Sequence, residues 1–304
     1  MDIVPRERAD AEPMLILCLK AFGDLVIART SLRWRGDPAH VAIAFADHLV
    51  ELDAALTPRA ARAFVVAHGE RRVPSLFDLR KNGLRLGAAS ALRLRTALSR
   101  LDVPRDTVRV FDQVGARERF ITAGAPVRPL PLASNVYHAY AQVLGTSDTT
   151  RVAAPLNSRT GARTIGVFPA SRIARKNVPL ALLTRVVERI TTHGFASELF
   201  LLDGERRDLE AALPQATIVP RRFAAMMAAV ERVDAVMSAD SMPAHMAEHA
   251  GRPVFVLSPV DNRYWLPRSS FESGHWARFA EAYDGHAALD RFLAGLRAPG
   301  SVGE

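Results

Sequence analysis

Apolar residues fall in short unbroken runs, and between those runs they recur every three or four positions. Residues 14–19 form the first run, MLILCL. A parallel strand covered on both faces needs such a run. Gly23-Asp24 interrupts it, and residues 25–35 read as a helix. Further runs at 40–46, 63–67, 75–80 and 108–111 predict strands, with helices at 47–56 and 88–101. Strand and helix in alternation predict a parallel sheet with crossover helices. Three prolines lie within 126–131, and a helix follows at 136–144. The polar stretch 146–163, with Pro155 and Gly161, reads as a linker. The alternation then restarts, with strands at 164–169, 198–203, 217–220, 234–240 and 253–257. Helices are predicted at 179–193, 222–230, 243–250 and 286–296. Leu180, Leu183, Val187 and Ile190 would share the buried face of the first of these. The pattern therefore predicts two α/β domains, residues 1–150 and 151–304. Both would be Rossmann-like, with parallel sheets facing across a cleft that is the default ligand site.

Composition narrows the class. Of 304 residues, 49% are apolar and 24% charged, enough to build folded cores. No apolar run approaches the roughly 20 residues of a membrane span. The run at 14–19 stops at Lys20 and follows a charged leader, so it does not read as a signal peptide. A cytoplasmic location is expected. Cys18 is the only cysteine, which excludes an internal disulfide framework and a multi-cysteine zinc site. Its apolar neighbours mark it as a core thiol.

The formal charge is +8, carried by 37 arginines and only three lysines, Lys20, Lys81 and Lys176. The surplus is spread over both halves without a basic tail. That suits anionic ligands or a membrane surface better than a nucleic-acid domain. Residues 80–100 hold Lys81, Arg85 and four further arginines without one acid. Ala91, Leu94, Leu98 and Leu101 form an apolar stripe there. The segment is either a packed helix with a solvated basic face or a surface for a phosphorylated or membrane-bound acceptor.

Three segments carry candidate chemistry. In 237–249 an apolar strand ends at Asp240, and Pro243 suits the first turn of a helix. Asp240 and Ser241 either cap that helix or touch a ligand, and free amides at a helix start bind phosphate. His245 lies in the first turn. His245 and His249 are spaced four apart, but Met246 stands where a zinc helix needs Glu, so metal is not expected. In 166–177 a strand opens into a loop with Ser171, Arg172, Arg175 and Lys176. That loop is either solvated or holds an anion in the cleft. Asp24 follows the first strand and is either a helix cap or a general base facing the cleft. No dinucleotide, Walker or nucleophile-elbow motif is present.

Taken in order, these segments resemble glycosyltransferase family 9, the ADP-heptose:lipopolysaccharide heptosyltransferases. The resemblance runs through Lys20 with Gly23-Asp24, Phe77-Asp78-Leu79, Ser171 to Lys176, and Gly204-Glu205. The best-defined family signature, Asp-[Ser/Thr]-Gly-x-x-His-x-Ala, appears as residues 240–247, followed by Gly251-Arg-Pro-Val. It implies a GT-B fold and an inverting, metal-independent and cofactor-free transfer of a heptose-like sugar. The donor would be a nucleotide diphosphate such as ADP-heptose, bound by the second domain. The acceptor would be an anionic, lipopolysaccharide-type glycolipid at the first, with peripheral contact at the inner membrane. By the same resemblance Asp24 is the base and Lys176 neutralises the leaving diphosphate, with Ser171 beside it. Glu205 holds the ribose, Asp240 the donor sugar and Ser241 the phosphates, while His245 orients that loop. The basic segment supplies Lys81 and Arg85 as acceptor-binding residues. The sequence departs from the family at Met242, which replaces the signature glycine and so joins the donor-site residues. It also departs at Val178-Pro179, which replaces Trp-Pro, and in the shortened loop from Lys20 to Asp24. These departures motivate an alternative, a degenerate homologue that binds nucleotide or glycan without transfer.

Overall fold

The computed structural model describes residues 12–19, 21–35, 40–56, 61–67, 83–145, 163–279, 283 and 285–297. In the first half, β1 (Met14–Cys18), β2 (Val41–Ala46), β3 (Arg62–Val66), β4 (Val108–Phe111) and β5 (Val127–Pro129) form one sheet in the order β3-β2-β1-β4-β5. Every pairing is parallel. All five residues of β1 are buried, as a strand covered on both faces requires. The helices are α1 (Phe22–Arg35), α2 (Val50–Ala55), α3 (Leu84–Ser99), α4 (Ala116–Ile121) and α5 (Val136–Leu144).

The second half repeats the plan with β6 (Thr164–Phe168), β7 (Ala196–Leu202), β8 (Thr217–Val219), β9 (Ala235–Ala239), β10 (Val254–Ser258) and β11 (Trp276–Arg278). Their order is β11-β10-β9-β6-β7-β8, again all parallel. Its helices are α6 (Leu180–Thr192), α7 (Arg207–Ala212), α8 (Phe223–Arg232), α9 (Met242–His249), α10 (Arg268–Ser273) and α11 (His286–Arg297). Each sheet winds outward in both directions from its first strand. The crevices where the order reverses lie between β1 and β4, and between β6 and β9. Ligands of open parallel sheets bind at such points, beyond the carboxyl ends of the strands.

Several expectations are corrected. Helix α1 begins at Phe22 rather than residue 25, so Asp24 sits inside its first turn and does not precede the helix as a cap. Val127–Pro129, for which no element was expected, is a strand that includes Pro129, because it pairs only with β4 at the sheet edge. The buried face of α6 is Leu182, Leu183, Val186 and Ile190, with Leu180 exposed. The predicted strand 75–80 and the domain boundary at 150/151 lie outside the described residues.

Each domain has a buried apolar cluster of its own, and a third cluster spans both. A single cluster of buried apolar side chains runs from Ile16 and Leu32 in the first domain to Met226, Met246 and Val256 in the second. Helix α1 packs against α9, where Thr30 Oγ1 lies 3.1 Å from His249 Nδ1. Asn135 caps α5 through its Oδ1. Its Nδ2 donates across the interface to the carbonyls of Arg263 and Leu266, at 3.1 and 3.0 Å. Glu51 accepts the Phe223 amide at the start of α8, 3.2 Å away. Within the first domain, Arg29 is buried against Asp53 at 2.6 Å and ties α1 to α2.

Candidate functional site

The loops after the strands of both sheets face a common cleft of about 830 Å³. Lys176 is delivered by the loop that follows β6. The Ser171 amide donates to Asn177 Oδ1 at 2.7 Å, the Ile173 amide to Ser171 Oγ at 3.3 Å, and the Lys176 amide to the Ile173 carbonyl at 2.8 Å. That folded loop puts Lys176 Nζ 2.9 Å from Asp240 Oδ2 at the end of β9. Asn262 Nδ2 also donates to Asp240 Oδ2, at 2.8 Å. Ser258 Oγ, at the end of β10, donates to the same oxygen at 3.4 Å.

Ser241 is the residue before α9, yet its hydroxyl does not cap the helix. It faces the carbonyls of Ala170 and Ala239, 3.2 and 3.3 Å away. The first-turn amides of α9 therefore carry no cap from that side chain, and the helix dipole is directed toward the cleft. Met242 is the first helical residue and forms part of the cleft wall.

His245 is buried, with Nδ1 3.0 Å from the Tyr137 hydroxyl of the first domain. Burial pushes its pKa down to about 4, and Lys176 adds to the effect while Asp240 opposes it. The imidazole is neutral at pH 7. Burial and the charge of Glu248 raise the Tyr137 pKa, so the phenol keeps its proton. A methyl group on Gly23 would come within 4.0 Å of His245 Cδ2, which places the start of α1 against this ring.

Glu205 follows Gly204, whose φ of 63° is a left-handed turn that favours glycine. Burial raises the pKa of the Glu205 carboxyl, against the charges of Arg221 and Arg206. Asp24 faces the same cleft from the opposite domain. Phe22, two residues before it, lies 5.0 Å from Phe223 between ring centres, so an aromatic pair bridges the domains at the cleft edge.

Asp24, Ser171, Lys176, Glu205, Asp240, Ser241, Met242 and His245 all line this one cleft. The two acceptor residues expected from sequence do not join them. Lys81 lies outside the described residues, and Arg85 is exposed on α3 away from the cleft lining. Sequence reasoning missed Asn262, Trp265, Arg221 and Phe223, which also line it. Asn262 and Trp265 occupy a loop with no periodicity or motif. Arg221 and Phe223 could have been found from their place between a strand and a helix.

Two Rossmann-like domains facing across a ligand-sized cleft define the GT-B fold. Solved structures of glycosyltransferases share it over nearly the whole chain. A glycosyl transferase family 9 structure from Veillonella parvula aligns with TM-score 0.62 at 14% identity, covering 95% of this chain and 99% of that one. E. coli ADP-heptose LPS heptosyltransferase II aligns at 0.55 and 15% identity, covering 94% and 100%. E. coli heptosyltransferase WaaC with ADP aligns at 0.53 and 13%, covering 82% and 88%. The fold of this protein is the one these family 9 structures have. No family sequence model and no curated protein sequence matches the chain.

Proposed function

We propose that the protein is a GT-B glycosyltransferase that moves a heptose-like sugar from a nucleoside-diphosphate donor to a hydroxyl of a lipopolysaccharide-type acceptor, with inversion. The observation that carries this reading is the opposition of Asp24 on one domain to Lys176, Asp240 and the uncapped start of α9 on the other. Two of these neighbours, E. coli ADP-heptose LPS heptosyltransferase II and the heptosyltransferase WaaC with ADP, support an adenine nucleotide as donor.

In this reading Asp24 removes the acceptor proton as its oxygen bonds to the anomeric carbon. The bond from that carbon to the diphosphate breaks, and the electron pair leaves with the diphosphate. Lys176 and the α9 amides stabilise the departing charge, as preorganised donors do where charge develops. Lys176 must trade part of its pairing with Asp240 for the phosphates. Asp240 then remains fixed by Asn262, free to accept from sugar hydroxyls. Glu205 binds the ribose, and neutral His245, held against Tyr137, supports the loop without competing for anions. These groups suffice without a metal ion. The first domain is the acceptor domain and the second the donor domain, and the basic surface on α3 favours work at an anionic membrane face. No helix among the described residues is long and apolar enough to cross a membrane.

Met242 favours a second reading, binding without transfer, because its side chain stands where the family signature has none. One experiment separates the two. ADP, UDP and GDP are titrated calorimetrically with and without magnesium, and turnover is then followed with ADP-heptose. Metal-independent ADP binding with sugar transfer is expected. Binding without any transfer, to acceptor or to water, would establish the second reading.

A further inference from the structure

Asp240 is the donor-sugar carboxylate of the transfer reading, and three side chains reach its Oδ2: Lys176 at 2.9 Å, Asn262 at 2.8 Å and Ser258 at 3.4 Å. Lys176 turns to the phosphates when donor binds, and Ser258 is the most distant. Asn262 is therefore the anchor that stays with the carboxylate. It lies on the loop between β10 and α10, residues 259–267.

That loop is folded on itself. Arg263 pairs with Asp261 at 2.7 Å. The Trp265 amide donates to the Asn262 carbonyl at 3.0 Å, and the Leu266 amide to the Arg263 carbonyl at 3.3 Å. Asn262 and Trp265 both border the cleft. The first domain grips the loop through Asn135, which is completely buried. Its amide has one workable orientation. Oδ1 accepts from the Tyr137 amide at 2.9 Å, so Nδ2 must face the carbonyls of Arg263 and Leu266 at 3.1 and 3.0 Å. Two N–H groups meet two carbonyls, and both donors of the amide are used. One of those carbonyls belongs to the residue directly after Asn262, so the pin sits next to the anchor.

We infer that Asn135 is a positioning residue for the donor sugar: from the acceptor domain, through the carbonyls of Arg263 and Leu266, it holds the loop that sets Asn262 against Asp240. The inference rests on the transfer reading and deepens it. Recognition of the sugar then depends on the acceptor domain. Recognition of ADP does not, because Lys176, Glu205 and the α9 amides lie on other segments.

The test uses the full chain. Asn135→Ser keeps a capping oxygen for α5 and removes both Nδ2 donors. Calorimetry compares its affinities for ADP and ADP-heptose, and deuterium exchange follows residues 259–267 without ligand. Loop exchange is expected to quicken by about tenfold or more, as loss of two buried hydrogen bonds implies. ADP-heptose affinity should fall by about tenfold, the effect of one contact to a charged group, while ADP affinity is unchanged. Asn262→Ala should cause the same selective loss, and the double variant should lose no more than Asn262→Ala alone. Unchanged loop exchange, an equal loss for ADP, or losses that multiply in the double variant would overturn the inference. If Asn135→Ser does not fold, the wild-type chain decides. ADP-heptose should then slow exchange of the loop beyond the effect of ADP, and equal protection by the two ligands would overturn the inference. A chain that binds neither ligand would overturn the transfer reading and this inference with it, whereas unchanged loop exchange in a chain that transfers sugar would overturn the inference alone.

Discussion

Lys176 is fixed between a folded loop and a carboxylate, and that placement makes its removal informative. Lys176→Ala leaves Asp240 held by Asn262 but takes away the ammonium facing the cleft. ADP affinity is expected to fall by about tenfold or more, the effect of losing one charge-assisted contact, in a calorimetric titration. Asp24→Asn should leave ADP affinity intact and lower turnover with ADP-heptose by about 10²–10⁴, the usual contribution of a general base. Unchanged turnover would remove Asp24 from that role. His245 makes a prediction about pH. Its folded-state pKa of about 4 lies below the ordinary value of 6.5. Between those values the unfolded chain takes up a proton that the folded chain refuses. Stability is therefore unaffected above pH 6.5 and declines as pH falls from 6.5 toward 4. His245→Gln should flatten that part of the melting-temperature profile.

At the scale of elements, the buried ion pair between Arg29 and Asp53 is the most exposed to mutation. Asp53→Ala removes the ion-pair partner of a guanidinium that is 2% accessible. It should cost about 3–5 kcal/mol, whereas replacing both partners by apolar residues of similar size should cost much less. Denaturant melts of the single and double variants check this. The elements also show what was legible beforehand. Long apolar runs such as β1 and β9 declared themselves, since strands covered on both faces have no other way to be written. β5 did not, because Pro129 within it and Pro126 and Pro131 beside it mask a strand that has only one neighbour. α4, α7, α10 and β11 span six residues or fewer, too short for any period to register. The site residues at strand ends, Asp24, Lys176, Glu205 and Asp240, could be picked out because a topology rule locates them. Asn262 and Trp265 could not, because their roles depend on which loop meets which across the cleft.

For the molecule as a whole, the decisive feature is the apolar cluster that passes through both domains. Two domains joined by nothing but their own separate clusters would melt separately. Here a single calorimetric transition is expected, and Leu32→Ala, in the first domain, should lower it without splitting it. Two resolved transitions would show that the spanning cluster does not couple the domains.

That continuity also bears on how such a chain can be rebuilt. Enzymes of this architecture invite recombination, with one half kept for the donor and the other exchanged to change the acceptor. In this protein the seam is not neutral ground. Thr30, Asn135 and Tyr137 reach from the first half to His249, Arg263 and Leu266, and His245 in the second. A hybrid cut between α5 and β6 alone would leave those groups facing strangers, with polar atoms buried and unmatched. A graft that works must carry the 242–266 surface together with the first half it was shaped against.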